Sequence, residues 1–146
     1  MVEAAVMDDY VQMDKVDWVE FPQGLCAGLV EWKLLHVSPE TGAWTAAFRA
    51  EKGASIARHI HVGPGEYYMT KGVMQVRGGE DEGGATARAP GYGYEACNAQ
   101  HDYTVFEEDS ELYMTFLGPL NFTDDDGNTI ALVGWREVYE AWQEAA

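Results

Sequence analysis

From residue 25 to residue 89 the chain is written in short β-like runs, each closed by a turn, and this rhythm constrains the fold more than any other feature. Residues 28–37 read as a strand, 38–42 as a turn and 43–50 as a second strand. Residues 56–62 alternate apolar and polar positions and stop at Gly63-Pro64-Gly65. Residues 67–76 read as strand with a bend at Gly72, and 77–84 as a charged, glycine-rich turn. Closely spaced short strands of this kind predict an all-β sandwich or barrel, not alternating strands and long helices.

The rest of the chain fits the same class. Residues 89–99 are rich in Gly, Pro and Tyr and read as a loop leading into a strand at 104–106. A strand is expected at 111–117, and a hairpin over 121–135 that turns at Asp124-Asp125-Asp126-Gly127-Asn128. That acidic turn lacks the spacing and distal Glu of a calcium loop. Residues 136–146 have helix formers with Val138, Tyr139 and Trp142 on one side, so a short terminal helix is expected. Residues 1–20 are acidic and weakly patterned, a leading arm with at most a short helix; 21–146 form one domain.

Charge and composition exclude several functions. Nine Lys and Arg face 25 Asp and Glu, a formal net charge of -16, which repels phosphate backbones and anionic membranes. No apolar run reaches the roughly 18 residues of a membrane span. The N-terminus lacks the basic start and apolar stretch of a signal peptide, so a cytoplasmic protein is expected. Cys26 and Cys97 are isolated from each other and read as small hydrophobes rather than a disulfide framework.

The chemistry lies with the histidines. His59 and His61 are separated by one residue, so on a strand both imidazoles point to the same face while Ile60 points away. Inside a narrow barrel two such rings can meet one cation, and His101 could join from a facing strand. Imidazole suits iron, zinc, copper and nickel. His36 has no sequence partner and reads as structural.

The frame around the pair resembles a known family. Gly53, five residues, His59-Ile60-His61, four residues and Glu66 reproduce the first motif of the cupins. Gly72 follows Glu66 after five residues, where the family usually has six. The second cupin motif is degenerate here: Pro90-Gly91-Tyr92-Gly93-Tyr94 leads to His101 at a longer spacing, and Val105 stands where an Asn is usual. The resemblance implies a single-domain double-stranded β-helix, or jelly-roll barrel, with a metal inside. In cupins generally the motif Glu is a fourth ligand, which makes Glu66 one candidate for that role, with turn-stabilising or outer-shell service the preferred alternative.

Three segments are similar to a narrower group, the β-diketone (acetylacetone-cleaving) dioxygenases: residues 59–68, 89–96 and 113–120. That group holds one Fe(II) with three histidines and no carboxylate. The resemblance therefore implies His59, His61 and His101 as ligands, with Tyr67, Arg77, Glu95 and Thr104 around the metal. Phe116 would be an aromatic wall; Ile56 stands where another aromatic is expected and would reshape the pocket. The implied substrates are O2 and a small neutral or enolisable carbonyl compound, and a homodimer or homotetramer is expected. Zinc or nickel in the same site, a non-catalytic sensor cupin, and a metal-dependent isomerase or lyase are the competing readings.

Overall fold

The computed structural model describes residues 8–145, so positions 1–7 of the expected arm and residue 146 of the expected helix lie outside the described residues. The described chain forms three antiparallel sheets around one apolar core. The largest has six strands in the order Val19–Glu20, Val30–Val37, Trp44–Ala50, Ser110–Phe116, Gly65–Lys71, Gly91–Glu95. A five-stranded sheet runs Cys26–Ala27, Ser55–Ile56, Thr104–Phe106, Val73–Val76, Ala85–Arg88. A four-stranded sheet runs Gln100–His101, His59–His61, Leu120–Thr123, Thr129–Val133.

Period-two patterning explains which side chains close the core. On Gly65–Lys71 the residues Tyr67 and Met69 are buried while Glu66, Tyr68 and Thr70 are exposed. Leu112, Met114 and Phe116 follow the same phase on the next strand, beside Phe48, Ala46 and Trp44. Met74 and Phe106 enter the core from the five-stranded sheet, and Leu120 and Phe122 from the four-stranded one. The inner faces of all three sheets thus meet, as a barrel requires.

Gly72 makes the corner expected of it. Its φ of +86° is available to glycine at little cost, and a Cβ there would overlap Ser110 Oγ. At this point the chain leaves the six-stranded sheet and enters the five-stranded one.

Two expectations need correction. Residues 56–62 are not one strand: Ser55–Ile56 belongs to the five-stranded sheet, while His59–His61 belongs to the four-stranded sheet. Within 89–99, expected as loop, Gly91–Glu95 is an edge strand paired with Gly65–Lys71. Glycine and tyrosine alternate there, but the inward positions 91 and 93 carry no apolar side chain to mark a buried face, and an edge strand needs only one partner.

The arm also contributes structure. Val19 and Glu20 pair with Trp32 and Glu31, so the chain joins the large sheet before residue 21. Ahead of it, Met13–Lys15 is a 3-10 turn whose Met13 carbonyl accepts a 2.7 Å hydrogen bond from the buried Lys33 ammonium. Lys33 and Arg49 both lie over the Trp18 ring, at 4.7 and 4.6 Å. At the other end, Asp124 accepts hydrogen bonds from the backbone of Asp126 and Asn128 and closes the expected hairpin. Gly134 N–H donates to Glu137 Oε1, half of a capping box, at the start of the helix Trp135–Ala145. Trp142 of this helix packs edge-on against Trp32, with ring centres 5.4 Å apart. Among the described residues no helix is long and apolar enough to cross a membrane.

Candidate metal centre

His59, His61 and His101 converge inside the barrel. All three are buried, and each offers a ligand atom within 4.8 Å of the others. Their ring centres are 4.8 to 5.1 Å apart. The short strand His59–His61 directs both of its imidazoles inward and Ile60 away, as the i, i+2 spacing predicts. His101 arrives from the adjacent strand, where it pairs directly with His59. The loop between is tied down by Asn98 N–H donating to the His61 carbonyl and His61 N–H donating to the Ala99 carbonyl.

The rings are prepared as neutral donors. His59 Nδ1 lies 2.7 Å from the Ala57 carbonyl. A carbonyl only accepts, so Nδ1 carries the proton and Nε2 keeps its lone pair free. His61 has both ring nitrogens buried without a hydrogen-bond partner. Burial lowers the pKa of His59, and burial with the neighbouring histidines pushes His61 and His101 down to about 3. Three uncharged imidazoles with an orphaned buried nitrogen among them are a donor set that fits a divalent transition metal.

The carboxyl in contact with this set is Glu95, not Glu66. Glu95 Oε2 lies 2.6 Å from His101 Nε2, and its Oε1 lies 3.8 Å from His61 Nε2. Burial pushes Glu95 up to about 7, against the opposing charge of Arg77. Glu66 falls on the outer phase of its strand, is exposed, and accepts a hydrogen bond from the Tyr92 hydroxyl. The expectation of Glu66 as fourth ligand therefore fails on strand alternation alone.

The remaining candidates are distributed around this centre. Thr104 is buried, lines the cavity beside the histidines and pairs with Ile56 across the five-stranded sheet. Ile56, half-buried, lines the same cavity. Phe116 does too, stacked 3.8 Å from Trp44 on one side and nearly parallel to His61 on the other. Tyr67 is buried but outside the cavity wall; burial and the charge of Glu95 raise its pKa to about 12. Arg77 is exposed at a left-handed turn position, φ +51°, and acts on Glu95 and His101 through its charge. His36 stands apart, 3.5 Å from Asp9.

Sequence reasoning passed over Leu112, Met114 and Phe122, which also wall the cavity. Leu112 and Met114 share the phase of Phe116, and that signal was available. Phe122 lies 5.3 Å from the His59 ring, on the strand next to it. The cavity holds about 60 Å³ and, apart from the histidines, Glu95 and Thr104, its walls are apolar. A single water needs roughly 10–15 Å³ by this measure, so the space suits a molecule of a few heavy atoms.

Residues 6–121 match the family model described as the ChrR Cupin-like domain. The chain belongs to this cupin family. Its barrel is the cupin fold that the His-x-His frame predicted. The cupin is 54% identical over 135 residues to the acetylacetone-cleaving enzyme of Acinetobacter johnsonii, covering 92% of this chain and 88% of that one. Its fold superposes on the crystal structure of an acetylacetone dioxygenase from Acinetobacter johnsonii with a TM-score of 0.94 at 51% identity, covering 99% and 97% of the two chains. A crystal structure from Methylibium petroleiphilum PM1 matches with a TM-score of 0.92 at 56% identity, over 97% of this cupin and 99% of that chain.

Proposed function

We propose that this cupin is an Fe(II)-dependent dioxygenase that cleaves a C–C bond of a small β-diketone with O2. The observation that carries the reading is the buried set of three neutral imidazoles opening onto a small apolar cavity. The identity of 54% with an acetylacetone-cleaving enzyme supports the substrate class. His59, His61 and His101 would hold the ion. Bound there, it supplies Lewis-acid attraction for the two oxygens of an enolised diketone and a redox partner for O2.

The chain's own residues account for the rest. Ala57 fixes the tautomer of His59, as partners of metal-binding imidazoles generally do. Burial keeps all three rings uncharged, so the donor set adds no negative charge to offset the cation. The walls formed by Ile56, Leu112, Met114, Phe116 and Phe122 receive the alkyl groups and exclude water. The Glu95 carboxyl, which lines the cavity beside His101, is placed to accept the proton a diketone loses on enolising. Thr104 lines the same cavity as His101 and supplies a hydroxyl there, and Tyr67 and Arg77 set the environment of Glu95. The reaction consumes one O2 per diketone and yields a carboxylate and an α-dicarbonyl compound.

The test is anaerobic reconstitution with Fe(II) followed by addition of acetylacetone in an oxygen-electrode cell. Oxygen uptake equal to the diketone consumed is expected. Tightly held zinc with no uptake after iron reconstitution would overturn the reading in favour of a sensor.

A further inference from the structure

The inner face of the edge strand Gly91–Glu95 presents, at alternate positions, Gly91, Gly93 and Glu95. The middle position is opposite Tyr67 in the pairing register. A Cβ at Gly93 would overlap Cζ, Cε1 and the hydroxyl oxygen of Tyr67. The phenol end of the ring therefore lies in the space that a side chain at 93 would fill. Glu95 is the next inward residue on that strand and so a diagonal neighbour of Tyr67 on the same face of the sheet, within reach of its long side chain. Glu95 in turn touches His101 Nε2 at 2.6 Å.

We infer that Gly93 is a positioning residue: the notch left by its missing side chain seats the Tyr67 phenol beside Glu95 and so sets where the Glu95 carboxyl stands against the Nε2 atoms of His101 and His61. The inference rests on the metal site proposed above. The two neighbouring glycines separate this role from a purely structural one. A Cβ at Gly91 would strike the Arg88 carbonyl, which is backbone, so substitution there forces the strand itself to move. The three atoms nearest a Cβ at Gly93 all belong to the far end of one side chain, Tyr67, and no positive φ is required. Alanine at 93 is accordingly tolerated by the sheet, and the ring is what yields.

The experiment is a double-mutant cycle with G93A and Y67A, read by Co(II) affinity and by the visible d–d spectrum of the cobalt protein. Loss of an outer-shell contact to a metal-binding imidazole weakens binding about 10-fold or more. G93A alone is expected to weaken Co(II) binding about 10-fold and to shift the d–d bands, with the far-UV spectrum unchanged. In the Y67A background, where no ring remains to displace, the same substitution should change affinity less than about 2-fold. Equal losses in both backgrounds, or an unaltered affinity and spectrum for G93A alone, would overturn the inference. Because cobalt binding is measured without turnover, absence of diketone cleavage would sink the proposed reaction and leave this cycle readable.

Discussion

At the scale of the residue, strand alternation decides who can touch the metal. Tyr67 and Glu66 are neighbours in sequence, yet one faces the core and the other water. Glu66→Gln should therefore leave metal stoichiometry unchanged, while His61→Ala should abolish it; plasma emission analysis of the purified variants measures both. A buried imidazole cannot be replaced by a methyl group without losing a donor and opening a cavity, whereas the Glu66 carboxylate has only the Tyr92 hydroxyl to lose. Retained metal in the His61 variant would contradict the ligand assignment. The same residue-level reasoning explains what was legible. His59 and His61 were evident because their spacing is that of one strand face. Glu95 was reached only by resemblance, since the alternation of Gly91-Tyr92-Gly93-Tyr94 puts no apolar side chain on its inward positions to mark a buried face.

At the scale of the element, the sequence revealed long strands and concealed short ones. Val30–Val37, Trp44–Ala50 and Ser110–Phe116 carry enough apolar side chains to be recognised. The two-residue strand of His101 does not, and His59–His61 was legible only as part of one longer run over 56–62, because their pairing is fixed by partners far away in sequence. At the break at Ala57 and Arg58, hidden inside an alternating run, the Ala57 carbonyl lies 2.7 Å from His59 Nδ1. The terminal helix was legible from Val138 and Trp142, which are indeed its buried face. Truncating Trp142 to Ala should cost about 3–5 kcal/mol, the range for deleting a large buried aromatic. Chemical denaturation would measure it; a loss under about 1 kcal/mol would mean that the helix contributes little to the core. Because Trp142 packs on Trp32 and does not line the cavity, metal affinity should be retained.

At the scale of the whole molecule, a barrel of three sheets places its three donor rings at the side of an otherwise apolar interior. The strongly acidic exterior, with a net charge of -16, discourages polyanionic ligands but is no obstacle to a small neutral diketone. Composition alone could establish that exclusion, and the rhythm of short strands and turns the all-β class; the register that joins His101 to His59 depends on the folded topology. The most direct measurement is anomalous diffraction at the iron edge from crystals of the Fe(II)-loaded protein. One peak is expected per chain, in bonding contact with His59, His61 and His101 together. Iron bound elsewhere, or a chain that takes up none while folded, would contradict the account.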